Sequence, residues 1–110
     1  MKARLKRFVL DLIKFCQELP KSQETNIIKN QLLHSGSSVY ANYRAACRAR
    51  SKAEFFSKLS ITVEEADETE MWLDLLIDSQ ISDTPEAKRL HQESLEIIKI
   101  MASARKNTKI

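Results

Sequence analysis

What most limits this sequence is its lack of punctuation: one glycine, Gly36, and two prolines, Pro20 and Pro85, in 110 residues. A β-rich fold of this length needs many tight turns, and glycine and proline supply the backbone geometries those turns demand. So few turn formers, far below average usage, point to a few long helices joined by short connections. Residues 1–110 are enough for one domain with one modest core. The 43% hydrophobic content excludes wholesale disorder. No apolar stretch reaches membrane-span length, and MKARLKRFVLDLIKF lacks a signal-peptide core. No membrane association is expected, and the cytoplasm is the expected compartment.

Periodicity divides the chain into four helices, at about 4–19, 23–50, 52–79 and 85–104. Leu5, Phe8, Val9, Leu12, Phe15, Cys16 and Leu19 recur at spacings of three and four, which predicts an amphipathic first helix. Leu19-Pro20 ends it, because a residue before proline avoids helical geometry. Ser22 is the expected cap of the second helix, whose stripe runs through Ile27, Ile28, Leu32, Val39, Tyr43 and Ala46. Ser35-Gly36-Ser37-Ser38 interrupts it. One reading is a loop; the other, preferred here, is a continuous helix, because the apolar phase survives from Leu32 to Val39 to Ala46. The small residues would then let a neighbouring helix approach closely.

Ser51-Lys52-Ala53-Glu54 fits a capping box and starts the third helix just after the second stops. Phe55, Leu59, Thr62, Ala66, Thr69, Leu73 and Leu76 form a seam of alternating four- and three-residue steps, the period of left-handed bundle packing. Thr84 or Asp83 is the expected cap of the fourth helix, with Pro85 in its first turn. Ala87, Leu90, Ser94, Ile97, Ile98 and Met101 form its stripe, and a polar tail from Ser103 to Ile110 frays. The fold class is all-α, an up-down-up-down four-helix bundle.

Charge is sorted along the chain. Residues 1–58 carry twelve Lys/Arg against four Asp/Glu; residues 59–87 carry nine Asp/Glu and no Lys/Arg. Such sorting suits self-association between unlike faces and leaves basic surface for polyanions. Arg44, Arg48, Arg50, Lys52 and Lys58 cluster about the connection between the second and third helices. They read either as a solvated tip or as a phosphate-binding patch, with Tyr40 and Tyr43 near enough to stack on an unpaired base. The hairpin places residue 44 opposite roughly residue 58. The acidic cluster of Glu64, Glu65, Asp67 and Glu68 therefore lies about three turns from the basic one, roughly 15 Å. The two could meet only across a subunit interface, in which Asn42, Tyr43, Glu65, Glu68 and Trp72 are the candidate residues. Asn42 falls on or beside the inner stripe, where a polar side chain needs partners.

No catalytic constellation is visible: neither a nucleophile with its base nor a glycine-rich phosphate loop. A di-iron bundle needs Glu-x-x-His pairs, and neither His34 nor His91 has a glutamate three residues before it. No metal, cofactor or enzymatic activity is expected. Cys16 and Cys47 read as buried small hydrophobes in a reducing compartment.

Two motifs carry a resemblance. Ser38, Val39, Ala41, Asn42, Tyr43, Ala46, Ala49 and Ser51 match the pattern S-V-x-A-N-Y-x-x-A-x-x-A-x-S. Glu65, Ala66, Asp67, Glu68, Thr69, Trp72 and Leu73 match E-A-D-E-T-x-x-W-L. Over about residues 5–80 the chain resembles the four-helix bundle proteins encoded in intervening sequences of bacterial 23S ribosomal RNA genes. More distantly it resembles the accessory proteins of diversity-generating retroelements. The resemblance implies a homo-oligomeric ring, a homopentamer. In the retroelement relatives a basic ring surface binds nucleic acid and the reverse transcriptase. Two functions stay open: RNA binding through repeated basic residues, or a scaffold whose charged faces serve only self-assembly or a partner protein.

Overall fold

Each helix begins where a hydroxyl side chain caps it, except the first. The computed structural model describes residues 1–108 and holds four helices: α1 (Lys2–Gln17), α2 (Gln23–Cys47), α3 (Lys52–Asp78) and α4 (Pro85–Lys106). Ser22, Ser51 and Thr84 sit in extended conformation and accept hydrogen bonds from the backbone N–H groups of Thr25, Glu54 and Ala87. All three caps stand where the sequence places them. Lys109 and Ile110, part of the expected fraying tail, lie outside the described residues; α4 itself continues two residues past its expected end, to Lys106.

Successive helices are neighbours in space, and α4 returns to touch α1, so the four surround one core. Among the described residues there is no strand. The seam of α3 is buried from Leu59 to Leu76, and Phe55 at its start is half-buried. Among the described residues no helix is long and apolar enough to cross a membrane.

The interruption in α2 is helical, and its smallness is used. Ser35 and Gly36 are both buried. A Cβ at Gly36 would come within 2.5 Å of Leu12 Cδ1, so α1 rests where a side chain is missing. On the adjacent face Ser35 Oγ is hydrogen-bonded to Thr69 Oγ1 at 2.9 Å, tying α2 to α3. The helix-propensity cost of Gly36, about 1 kcal/mol, is offset by contact with both neighbours.

Several expectations need correction. α1 spans residues 2–17, so Leu19 packs on the core from the turn that follows. α2 stops at Cys47, and Arg48 to Arg50 belong to the connection. Ile27 is 56% exposed, and Thr25 takes the inward position instead, its hydroxyl satisfied by Ser22 Oγ at 2.8 Å. Cys47 is exposed, while Cys16 is buried and its thiol is pushed up to about 11 by that burial.

Packing changes along the bundle. His91 on α4 touches Glu70 on α3, so fifteen residues further on Lys106 stands level with Phe55. Arg4 near the start of α1 reaches Glu93 on α4, well short of that level. The end built by the α2–α3 connection is therefore flanked by the last turns of α4. From Tyr40 to Lys58 only Ala46 is buried.

Candidate functional site

The end built by the α2–α3 connection is cationic. Arg44, Arg48, Arg50 and Lys52 are all exposed there, and Lys58 is half-exposed. Helix geometry explains the spread: Arg44 is in the last turn of α2, Arg48 is its C-cap, and Lys52 opens α3. Arg44 and Arg48 also sit favourably near the negative end of the α2 dipole. The Arg44 guanidinium lies over the Tyr40 ring, 5.6 Å from its centroid, within cation–π reach. Arg50 pairs loosely with Glu54 at 3.6 Å. Among the described residues Arg48, Lys52 and Lys58 form no ion pair. Arg105 and Lys106, expected from the sequence in a fraying tail, join this end through α4. Matching levels along antiparallel helices is the signal that would have found them.

The opposite end reverses the sign. Glu18, Asp78, Asp83 and Glu86 cluster where α1 turns into α2 and α3 into α4. Arg89 answers part of this charge, bonding Glu86 at 2.6 Å and Asp11 at 3.0 Å. Its hydrogen bond to Arg89 holds the Glu86 carboxyl below the usual range. An open depression lined by Phe15, Leu19, Ser82 and Pro85 lies at the same end.

Four of the five residues expected at an interface share one flank. Thr69 marks the side of α3 that meets α2. Glu65, Glu68 and Trp72 stand four, one and three residues from it, so all three project from the outer side of that contact line. Asn42, seven residues from Ser35, lies along the matching side of α2. Tyr43 is not among them. It follows Val39 by four residues on the inward face and is half-buried there. Burial, then the neighbouring Cys47 thiol, raises its pKa.

Asn42 is also less needy than expected: its Nδ2 donates to Ser38 O and Ser38 Oγ, both at 2.9 Å. Trp72 Nε1 donates to Glu68 Oε1 at 3.4 Å. Glu65 is the exception, since its Oε2 is buried without a hydrogen-bond partner. Such a group costs stability unless something reaches it. On the outer face of α3, Met71 and Leu75 are 41% and 43% exposed, one turn apart.

One cluster has no counterpart in the sequence reading. Glu70 and Asp74 stand one turn apart on α3, and His91 on α4 meets them, with Nε2 2.6 Å from Glu70 Oε2. One donor atom from each lies within 4.8 Å of the others. A search for Glu-x-x-His within a single helix misses a set assembled from two.

The chain matches the model of a family described as 23S rRNA-intervening sequence protein over residues 2–103. It is also similar to a crystal structure from Bacteroides thetaiotaomicron, described as a protein with unknown function from the S23 ribosomal protein family. The two are 34% identical, the match covers 96% of this chain and 98% of that one, and the TM-score is 0.88. No curated protein matches the chain.

Proposed function

The chain belongs to the 23S rRNA-intervening sequence protein family, and from that premise we propose that it is a self-assembling, non-catalytic RNA-binding bundle of the cytoplasm. The observation that carries this reading is the cationic end, where Arg44, Arg48, Arg50 and Lys52 are all exposed and, among the described residues, only Arg50 has an acidic partner. Guanidinium groups on a convex tip suit phosphates of many sequences, because the planar fork reads charge and shape rather than bases. The exposed Arg44 guanidinium over the Tyr40 ring adds a planar surface on which an unpaired base can stack. No helix-turn-helix or similar reading-head pattern is visible in the sequence, so the proposed contact is to the backbone and nonspecific.

Assembly multiplies this surface. In a homo-oligomer, a pentamer as the family resemblance implies, each copy repeats the same cations around a ring. The flank of Asn42, Glu65, Glu68 and Trp72 is the proposed subunit contact. It is supported by the unpartnered Glu65 oxygen and by exposed Met71 and Leu75 alongside. The same observation favours the second reading, a scaffold in which charge serves only assembly or a partner protein.

The two separate in one experiment. RNA binding is followed by fluorescence anisotropy across a salt series, with assembly followed by light scattering. For single strands, log K falls with log salt at a slope of roughly −0.7 per phosphate contacted. Arg48→Glu with Arg50→Glu is expected to abolish binding and leave the mass unchanged. Salt-insensitive binding, or binding that survives both reversals, rejects RNA recognition by this end. A variant that loses assembly instead supports the scaffold.

A further inference from the structure

We propose that Glu70, Asp74 and His91 form a binding site for one divalent transition-metal ion of the zinc class, bridging α3 and α4. The donor set is one imidazole nitrogen and two carboxylates. Glu70 and Asp74 share a face of α3 because four residues make about one helical turn. His91 enters from α4 with Nε2 2.6 Å from Glu70 Oε2, and the three donor atoms lie within 4.8 Å of one another. Ligands about 2.0–2.2 Å from a tetrahedral zinc ion stand roughly 3.4 Å apart. Rotation of two carboxylates, one of them on exposed Asp74, takes the observed spacing to that value.

Charge argues the same way. Among the described residues neither Glu70 nor Asp74 has a Lys or Arg partner. The cations nearest in sequence to His91 are engaged: Lys88 with Asp83 at 3.3 Å, Arg89 with Glu86 and Asp11. Two carboxylates facing one histidine leave negative charge that a divalent ion neutralises. A nitrogen ligand favours zinc, cobalt or nickel over magnesium and calcium, which take oxygen, and the lack of a thiolate disfavours copper(I). Glu70 and His91 side chains are each 23% exposed. The ion therefore sits at the surface with a coordination position open to water or to a donor from another molecule. This site is remote from the cationic end and does not depend on RNA binding.

The test is titration of the folded protein with Co2+, read by visible absorption, and with Zn2+, read by thermal melting. All variants carry Cys47→Ser, because an exposed thiol competes for either metal. One equivalent of Co2+ per chain and a Zn2+-dependent rise in Tm are expected. Asp74→Asn keeps the His91–Glu70 hydrogen bond and the metal-free Tm, yet should weaken Co2+ binding by at least about tenfold. Changing even outer-shell partners costs that much. His91→Gln should lose the cobalt spectrum altogether. No binding in the parent, or binding as tight as the parent's in Asp74→Asn and His91→Gln, overturns the site.

Discussion

The middle of the bundle and its cationic end are built from the same helices by opposite rules. Between Leu59 and Leu76, α3 sends six residues into the interior, and Gly36 lets Leu12 of α1 close the packing. Between Tyr40 and Lys58 the hairpin buries only Ala46, and its aromatic residues are half-covered. The middle invests its residues in one another; the end, among the described residues, leaves Arg48, Lys52 and Lys58 without an acidic partner. Stability should therefore be lost in the first region and binding in the second.

The largest expected effect tests that division directly. Leu12→Ala should cost about 2–5 kcal/mol, the range for emptying a filled core site. Phe55→Ala at the end of the bundle, where the ring already meets water, should cost no more than about half of that. Equal losses in chemical denaturation would erase the distinction between the regions. Gly36→Ala comes next. Overpacking against Leu12 costs about 1–3 kcal/mol, reduced by about 1 kcal/mol of helix propensity, so a net loss of up to about 2 kcal/mol is expected. In a Leu12→Ala background that loss should vanish, and strict additivity would count against the close approach.

Smaller effects sharpen the comparison. Gln80 holds φ 64° just after α3, a left-handed conformation that suits glycine. Gln80→Gly should raise stability by up to about 1 kcal/mol, seen as a higher denaturation midpoint. On the α1–α4 side, the hydrogen bond from Arg4 holds the Glu93 carboxyl below its ordinary value of 4.5. The ionised pair therefore stabilises the fold above that value, and the contribution fades as pH falls through the lower, folded value. Arg4→Gln should therefore lower stability at neutral pH, by no more than the ~1 kcal/mol an exposed pair contributes, and flatten the acid limb below 4.5, where parent and variant converge. Arg48→Ala should shift stability by less than about 0.5 kcal/mol, because the side chain is exposed and unpaired.

The sequence made the regular parts legible. Ser22, Ser51 and Thr84 announce their helices because a capping hydroxyl acts within three residues of its own position. The α3 seam is legible for the same reason: its period is local. Thr25 was hidden because a search for apolar residues overlooks a buried hydroxyl whose partner, Ser22, lies three residues away; Ile27 took its place wrongly. Asn42 looked needy because Ser38, one turn back, is invisible to an argument about burial alone. Arg105 and Lys106 at the cationic end, and His91 beside Glu70 and Asp74, were illegible for a stronger reason. Each becomes a neighbour only when antiparallel helices set two distant stretches level, and that depends on the connections rather than on any motif.

The separation of charge along the long axis gives each subunit an electric polarity. In any cyclic assembly whose axis runs along the bundle, rotation points every subunit the same way. All the cationic ends then gather on one rim and repel. Such a ring is electrostatically loaded: cations crowded by subunit contacts gain more from a polyanion than the same cations on separate chains. By linkage the polyanion must tighten the ring in return. Added salt should likewise firm a bare ring by screening the rim, yet weaken its hold on RNA. Opposite responses to one variable, measured on one sample, would be the electrical signature of an assembly that its ligand completes.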